Sequence, residues 1–389
     1  MNGRNQIVVT HLEGRTAMLY MQGEKLYDIY LEERETPESV LVGDIYVGRV
    51  KNIVQNIRAA FVEVKKGVLC YLPLSDVKDR NNASIQCGDE LLIQIKKAGV
   101  KTKQPVATLD LELVGRSVVV SFGRSERGIS KKITDREQSD RLRQILDEFQ
   151  GEPYGMTMRT NAANMDTGLI REECRRLLDT LHEIIEKGKY RPGCSLLYQE
   201  GCFYLKHLND YLPEEWERIV TDDPEIYREL DNRYRDQVVF YEDATYTLDQ
   251  LYGLTNKLYK ALEKKVWLKS GGNLVIEPTE ALTVIDVNTG KAIEGKRNRE
   301  TTFYKINCEA AIEAARQIRI RGISGIILID FIDMQKQENK KMLLDLLREE
   351  LKKDKVRASL IDITKLGLVE ITRMKKYPSL KETLREPKD

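Results

Sequence analysis

The period of hydrophobic and polar positions changes several times along the chain. Over residues 1–37, short apolar runs such as Ile7-Val8-Val9 and Leu26 to Leu31 predict a small strand meander, ended by Thr36-Pro37-Glu38. Five closely spaced strand-like segments follow: Val42 to Val50, Ala59 to Val64, Val68 to Leu72, Glu90 to Lys96 and Val106 to Leu113. With Gly43, Gly48 and Gly67 supplying bends, they predict a small closed barrel of the OB type. Residues 115–205 are mixed, with the β-branched run Val118-Val119-Val120, a helix near 135–149, a strand from Tyr154 to Arg159 and a helix near 167–188. Residues 206–265 read as helix-rich and charged, with a turn at Asp222-Asp223-Pro224. In 266–389, two nearly continuous apolar strands flank a helix of about Thr301 to Arg321. Its residues Tyr304, Cys308, Ala311, Ala315 and Ile318 recur as one buried face should. A helix from about Gln335 to Lys353 and a strand from Ala358 to Ile363 come after. The chain is therefore predicted to be multidomain α/β.

The two apolar strands carry the most informative chemistry. One runs Ala281-Leu-Thr-Val-Ile-Asp286-Val-Asn288 and the other Gly325-Ile-Ile-Leu-Ile-Asp330-Phe-Ile-Asp333. Both read as buried parallel strands, and strand, crossover helix and strand form a right-handed βαβ unit. Parallel strands bring Asp286 and Asp330 to the same sheet edge, about 4.8 Å apart if adjacent. Two close carboxylates either share a proton or are neutralised by a hard cation, and Mg²⁺ suits such a pair. Asn288 lies on the same side of the extended chain and could orient a carboxylate or a metal-bound water. The alternative is a paired cap and salt-bridge arrangement with no metal. The basic stretch Lys365 to Lys376, with Arg373, could meet a phosphate backbone or form a solvated face.

Composition narrows the class. Of 389 residues, 63 are Lys or Arg and 62 Asp or Glu, a net charge of +1, which argues against a polycationic nucleic-acid coat but allows local basic grooves. No apolar run approaches the roughly 18–20 residues of a membrane span, and the start lacks the order of a secretory signal, so a soluble, cytoplasmic protein is expected. Cys70, Cys87, Cys174, Cys194, Cys202 and Cys308 show no CxxC spacing, and only His11, His182 and His207 are present. Free thiols in a reducing compartment are the expectation.

Two further groups invite a nucleic-acid reading. Phe61 and Tyr71 on adjacent barrel strands, with Lys103, fit base stacking beside a cation, although filling the barrel core is the plainer role for the rings. Arg49, Lys51 and Arg58 are compatible with RNA or with a solvated face. The basic loop of Arg124, Arg127, Lys131 and Lys132, with Arg159-Thr160, could form a phosphate pocket or be ordinary surface charge.

The segments EALTVIDVNTG, NCEAAIEAARQIRIRGISGIILIDFIDM and KLGLVEITRMKK closely resemble the bacterial RNase E/G endoribonucleases. So do GDIYVGRV, AAFVEV and YLPL near the start and RGISKKI and MRT in the middle, in order from about residue 5 to 385. The shorter branch of that family is the more similar. The resemblance implies an RNase H-like fold split between 1–37 and 206–265, interrupted by an OB-fold RNA-binding barrel at 38–114 and a 5′-sensor region at 115–205. A DNase I-like catalytic domain would occupy 266–389. It implies Asp286 and Asp330 as magnesium ligands, with Asn288 as a third catalytic residue. Phe61, Tyr71 and Lys103 would contact RNA, Tyr71 standing where better-known members carry Phe. Gly115, Val119, Arg159 and Thr160 would bind a 5′-monophosphate.

The implied activity is Mg²⁺-dependent hydrolysis of single-stranded RNA to 5′-phosphate and 3′-hydroxyl ends, favouring 5′-monophosphorylated substrates, in rRNA maturation and mRNA decay. The family usually carries a CPxC motif just after the segment that reads here SLKETLREPKD, through which two chains share zinc. Here the sequence stops at Pro387-Lys388-Asp389, either truncated before the motif or naturally lacking it, so these residues do not support zinc, and a homodimer or tetramer would lack that link. The rival reading is a non-catalytic RNA-binding or ribosome-associated module.

Overall fold

The computed structural model describes residues 5–32, 40–78, 85–97, 99, 104–199, 201–243, 245–290 and 299–385. The chain forms two compact units, Met1–Glu33 with Glu214–Asp389, and Arg34–Pro213.

The Arg34–Pro213 unit is built on a barrel of five strands: Ile45–Val54, Ala59–Lys65, Val68–Pro73, Glu90–Lys97 and Val106–Thr108. The first three pair in sequence, Val106–Thr108 joins Val68–Pro73 to Glu90–Lys97, and Glu90–Lys97 returns to Ile45–Val54. Closure removes the exposed edge that an open sheet would leave. Tyr46, Val50, Ala60, Val62, Ile93 and Ile95 fill the interior. A Cβ at Gly48 would stand 2.5 Å from Val62 Cγ1, so the closed barrel requires glycine there.

The expected strand from Val106 to Leu113 is broken at Leu109-Asp110. Its second half, Leu111–Val114, begins a four-stranded sheet with Val118–Phe122, Gly155–Met158 and Arg127–Ile129. The alternation of apolar residues runs through the break, so pattern alone could not locate it. Helices Arg136–Asp147 and Thr167–Gly188 bury Leu142, Ile145, Ile170, Leu177 and Leu181 with the sheet residues Leu113, Val120 and Met156. Asp135 and Asp166 cap the helix N-termini by accepting from backbone N–H groups.

In the other unit, a five-stranded sheet runs in the order Val238–Phe240, Arg218–Thr221, Asn5–Leu12, Arg15–Gln22, Lys25–Leu31. The last three form the expected meander. The two strands inside the stretch read as helix-rich are only four and three residues long, too short to show a period.

A six-stranded sheet carries the acids. Its order is Lys265–Trp267, Asn273–Pro278, Leu282–Asn288, Gly325–Asp330, Val369–Arg373, Ala358–Ile363. Helix Arg299–Arg321 connects Leu282–Asn288 to its parallel neighbour Gly325–Asp330, and the other pairings in the sheet are antiparallel. This helix and Gln337–Lys352 share a core with Leu274, Ile276, Ile285, Val287, Ile327, Ile329, Val369 and Ile371. These eight sheet residues all point to one face.

The expectation that both acid-bearing strands are buried on two faces is corrected. Val284 and Leu328 on the opposite face are only half-buried, and Ile326 is 53% exposed. The helix's stripe is also shifted: Ile306, Ala310 and Ala314 join Ala311, Ala315 and Ile318 in the core, while Tyr304 and Cys308 lie at its margin. Toward its C-terminus the same helix turns Ile320 into the core of the five-stranded sheet. Arg319 there is buried beside Asp28, at 3.8 Å.

Candidate active site

Asp286 and Asp330 are directly opposite one another in the parallel ladder. Because Ile285, Val287 and Ile329 face the helices, strand alternation turns both aspartates to the uncovered face, where both are exposed. The convergence expected at a sheet edge is thus also a convergence on an open surface. Asn288, two residues along, shares that face, and its Nδ2 donates to Asp286 Oδ2 at 2.7 Å. Among the described residues no cation forms an ion pair with either aspartate.

Burial, then the charges of Asp286 and Asp333, push the Asp330 carboxyl above the ordinary aspartate value of 3.8. The described residues include no cluster of three or more His, Cys, Asp or Glu able to hold a metal ion. A hard cation at this pair would therefore take two carboxylates and complete its shell with water and substrate oxygens, the way Mg²⁺ is commonly held. The donor set fits that ion and lacks the nitrogen and sulfur ligands characteristic of zinc sites.

The helix behind the sheet fixes the loops around the pair through side chains that the apolar pattern concealed. Asn307 is fully buried, donates from Nδ2 to Ile332 O at 2.7 Å and accepts from Ile332 N at 3.0 Å, clamping the segment that follows Asp330. Glu300 accepts from the backbone N–H of Gln335 and Lys336, extending that support. Glu309 accepts from the backbone N–H of Lys269 and Ser270 in the turn that precedes Asn273–Pro278. An asparagine within a run of buried helix positions was the available signal for Asn307. At the end of the Asp286 strand, Gly290 has φ +51°, and a Cβ there would lie 2.3 Å from Gly271 O.

Arg373 is corrected. Its alternation with Val369 and Ile371 turns it inward, where it donates to both carboxylate oxygens of Asp354, at 2.8 and 3.1 Å, and to Ile323 O. It is therefore an internal brace and is not available to a phosphate backbone. Lys375 pairs with Glu382.

On the barrel, Phe61 and Tyr71 are cross-strand partners, with ring centroids 6.2 Å apart in an edge-to-face arrangement. Each alternates with interior residues, Ala60 and Val62 on one strand and Cys70 and Leu72 on the other, so both rings lie outside the barrel core. They are brought together at its surface, and the core-filling alternative falls. Lys103 lies outside the described residues.

Gly115, Val119, Arg159 and Thr160 gather where the Leu111–Val114 and Val118–Phe122 hairpin meets Gly155–Met158. Val119 pairs with Val114 and Thr157, and the Thr160 hydroxyl is 3.0 Å from that of Ser130. Arg159 Nη1 donates to Gly115 O at 2.7 Å and Asn209 O at 3.0 Å, and Nη2 donates to Asp210 Oδ1 at 3.0 Å. A phosphate reaching this guanidinium must share it with Asp210. Glu173 meanwhile accepts from the backbone N–H of Arg116 and Ser117 and from the Ser117 hydroxyl. The surrounding basic residues divide: Arg124 is paired with Asp110, Arg127 donates to Glu152 O, and Lys131 and Lys132 are exposed.

A sequence model described as the Ribonuclease E/G family matches residues 112–376. Ribonuclease G of Escherichia coli (strain K12) is 30% identical over 97% of this chain and 81% of its own length. Ribonuclease G of Haemophilus influenzae is 31% identical, covering 97% of this chain and 80% of its own. Ribonuclease E of Synechocystis is 33% identical over 89% of this chain and 54% of its own length.

Proposed function

The chain belongs to the ribonuclease E/G family and is an endoribonuclease, and we propose that it hydrolyses single-stranded RNA in the cytoplasm at the Asp286–Asp330 pair with the help of Mg²⁺. The observation that carries this reading is the in-register juxtaposition of two exposed carboxylates with no cation paired to them among the described residues. Rows of apolar β-residues supply a rigid platform for them, which suits positioned catalytic groups.

Asp286 and Asp330 would hold the ion, and Asn288, by donating to Asp286, fixes the orientation of one ligand. When bound, Mg²⁺ supplies an activated water and neutralises charge developing on the phosphoryl oxygens. Attack of water oxygen on phosphorus with departure of the 3′ oxygen leaves a 5′-phosphate and a 3′-hydroxyl. Asn307, Glu300 and Glu309 keep the flanking loops in place.

Phe61 and Tyr71, with Lys103, are the residues we assign to gripping the strand by stacking and charge. Arg159 and Thr160, framed by Gly115 and Val119, would recognise a 5′-monophosphate and favour such ends over triphosphates. Precursors of rRNA and mRNA are the proposed substrates.

The test is cleavage of a fluorescent 5′-monophosphorylated oligoribonucleotide with Mg²⁺, with EDTA, and by Asp286→Asn. Cleavage should need both the ion and Asp286. Turnover that survives either change would overturn the metal mechanism. Binding with no cleavage by the wild-type chain would favour a non-catalytic RNA-binding or ribosome-associated module.

A further inference from the structure

The uncovered face of the six-stranded sheet holds more than the acids. Val266 packs against the core beneath the sheet, so its neighbours Lys265 and Trp267 point to the opposite face. The ladder then aligns Lys265, Val275, Asp286 and Asp330 in one row across four adjacent strands. The next row holds Trp267, the buried Asn273 and Asn288. Trp267 is 64% exposed, and the Lys265 ammonium sits 4.1 Å from the centre of its ring.

A single exposed aromatic needs no explanation by itself. This one lies two strand spacings, about 10 Å, from Asn288, on the same surface as the acid pair. Beside it, Lys265 brings a cation to a row whose other charged members are both acidic. Indole and ammonium next to a phosphodiester-cleaving centre are the two groups that hold single-stranded nucleic acid without reading its sequence: an aromatic face for a base and a cation for the backbone.

The geometry points to Trp267 and Lys265 as a substrate subsite that stacks a base next to the scissile phosphate and contacts the adjoining backbone. This rests on the ribonuclease reading of Asp286 and Asp330 and adds a binding element separate from the barrel. An exposed cation–π pair is weaker than a base stack, so a base can displace the ammonium from the ring. The freed ammonium then meets phosphate. Trp267 would bind substrate directly, and its contacts are present in ground and transition states alike, so its loss raises KM more than it lowers kcat.

The chain has two tryptophans, and the second, Trp216, is buried at 3% exposure. Both emit, so the difference between wild type and Trp267→Phe isolates Trp267, the one of the two that lies exposed. The experiment titrates the full chain in EDTA with an unlabelled single-stranded oligoribonucleotide and measures Mg²⁺-dependent cleavage in parallel. RNA should quench the wild-type emission saturably and leave that of Trp267→Phe, in which only Trp216 reports, unchanged. Trp267→Ala should weaken binding and raise KM roughly 5- to 150-fold, the equivalent of about 1–3 kcal/mol for one stacked base. Its kcat should stay within about twofold, and Trp267→Phe should recover most of the loss in KM.

Cleavage by a wild-type chain whose emission ignores RNA, with KM unchanged in Trp267→Ala, overturns the subsite and leaves the ribonuclease reading standing. Quenching at Trp267 without any cleavage supports the subsite and overturns that reading. Neither quenching nor cleavage overturns both.

Discussion

The acid-bearing sheet and the arginine hairpin of the second unit treat charge in opposite ways. On the sheet, Asp286 and Asp330 face each other with one amide donor, Asn288, and no cation among the described residues. At the hairpin, Arg159 is taken up by two carbonyls and Asp210, while Glu173 is met by two backbone N–H groups and a hydroxyl. The first arrangement leaves electrostatic free energy for an incoming ion and substrate to relieve. The second is largely satisfied before any ligand arrives, so its charges brace the fold as well as presenting a surface. An ion pair by itself is no mark of function, and two like charges set side by side are the better guide.

The strongest way to break this contrast is to remove the charge at the sheet. Asp330→Asn should lower the cleavage rate by about 10²–10⁴-fold, the several kcal/mol that a lost metal ligand costs a transition state. Its thermal midpoint should be no lower than wild type, since a like-charge repulsion at an exposed position is being lifted. A variant that loses stability with its activity would show that the pair is structural. At the hairpin the expectation reverses. Arg159→Ala should cost about 1–3 kcal/mol in urea unfolding because Asp210 and two carbonyls lose their donor. It should also narrow the rate difference between 5′-monophosphate and 5′-hydroxyl substrates. An unchanged ratio would leave Arg159 a brace alone.

The smallest effect is a titration. Without divalent ions, carbon-13 NMR of the Asp330 carboxyl should give a midpoint above 3.8, and Asp286→Asn should bring it down. The sign for stability follows. A carboxyl whose folded pKa is raised favours folding while protonated, so its unfavourable contribution enters as pH rises through the unfolded value. It is complete above the folded one. A midpoint unmoved by Asp286→Asn would mean that burial and Asp333 set it.

Much of this was legible in the sequence, for identifiable reasons. The parallel pairing of the Asp286 and Asp330 strands followed from two apolar runs around one long helix, because a crossover of that length returns a strand parallel. Four of the barrel strands were legible from their short, glycine-punctuated runs, while the fifth ran unbroken in pattern into the next sheet. Which face of the sheet the acids occupy was not, because Val284, Leu328 and Ile326 look as apolar as the residues beneath the helices. The half-burial of Val284 and Leu328 and the exposure of Ile326 are properties of the layer packing and leave no local signature. Arg373 misled for the opposite reason: a basic side chain just before Lys375 and Lys376 reads as surface, and partners distant in sequence, Asp354 and Ile323 O, hold it inside. Trp267 carried no period at all, and its interest lies entirely in the ladder that aligns its strand with the acids.

Helix Arg299–Arg321 serves two hydrophobic interiors, with Ile306 and Ala310 committed to the acid-bearing sheet and Ile320 to the N-terminal meander. The shared helix makes the meander part of the machinery by obligation. A shortened polypeptide lacking residues 5–32 would bare Ile320 to water and strip buried Arg319 of Asp28. The damage would travel down the same helix to Asn307 and the loop behind Asp330. The smallest self-sufficient cutting module of this chain therefore has to be assembled from both of its ends.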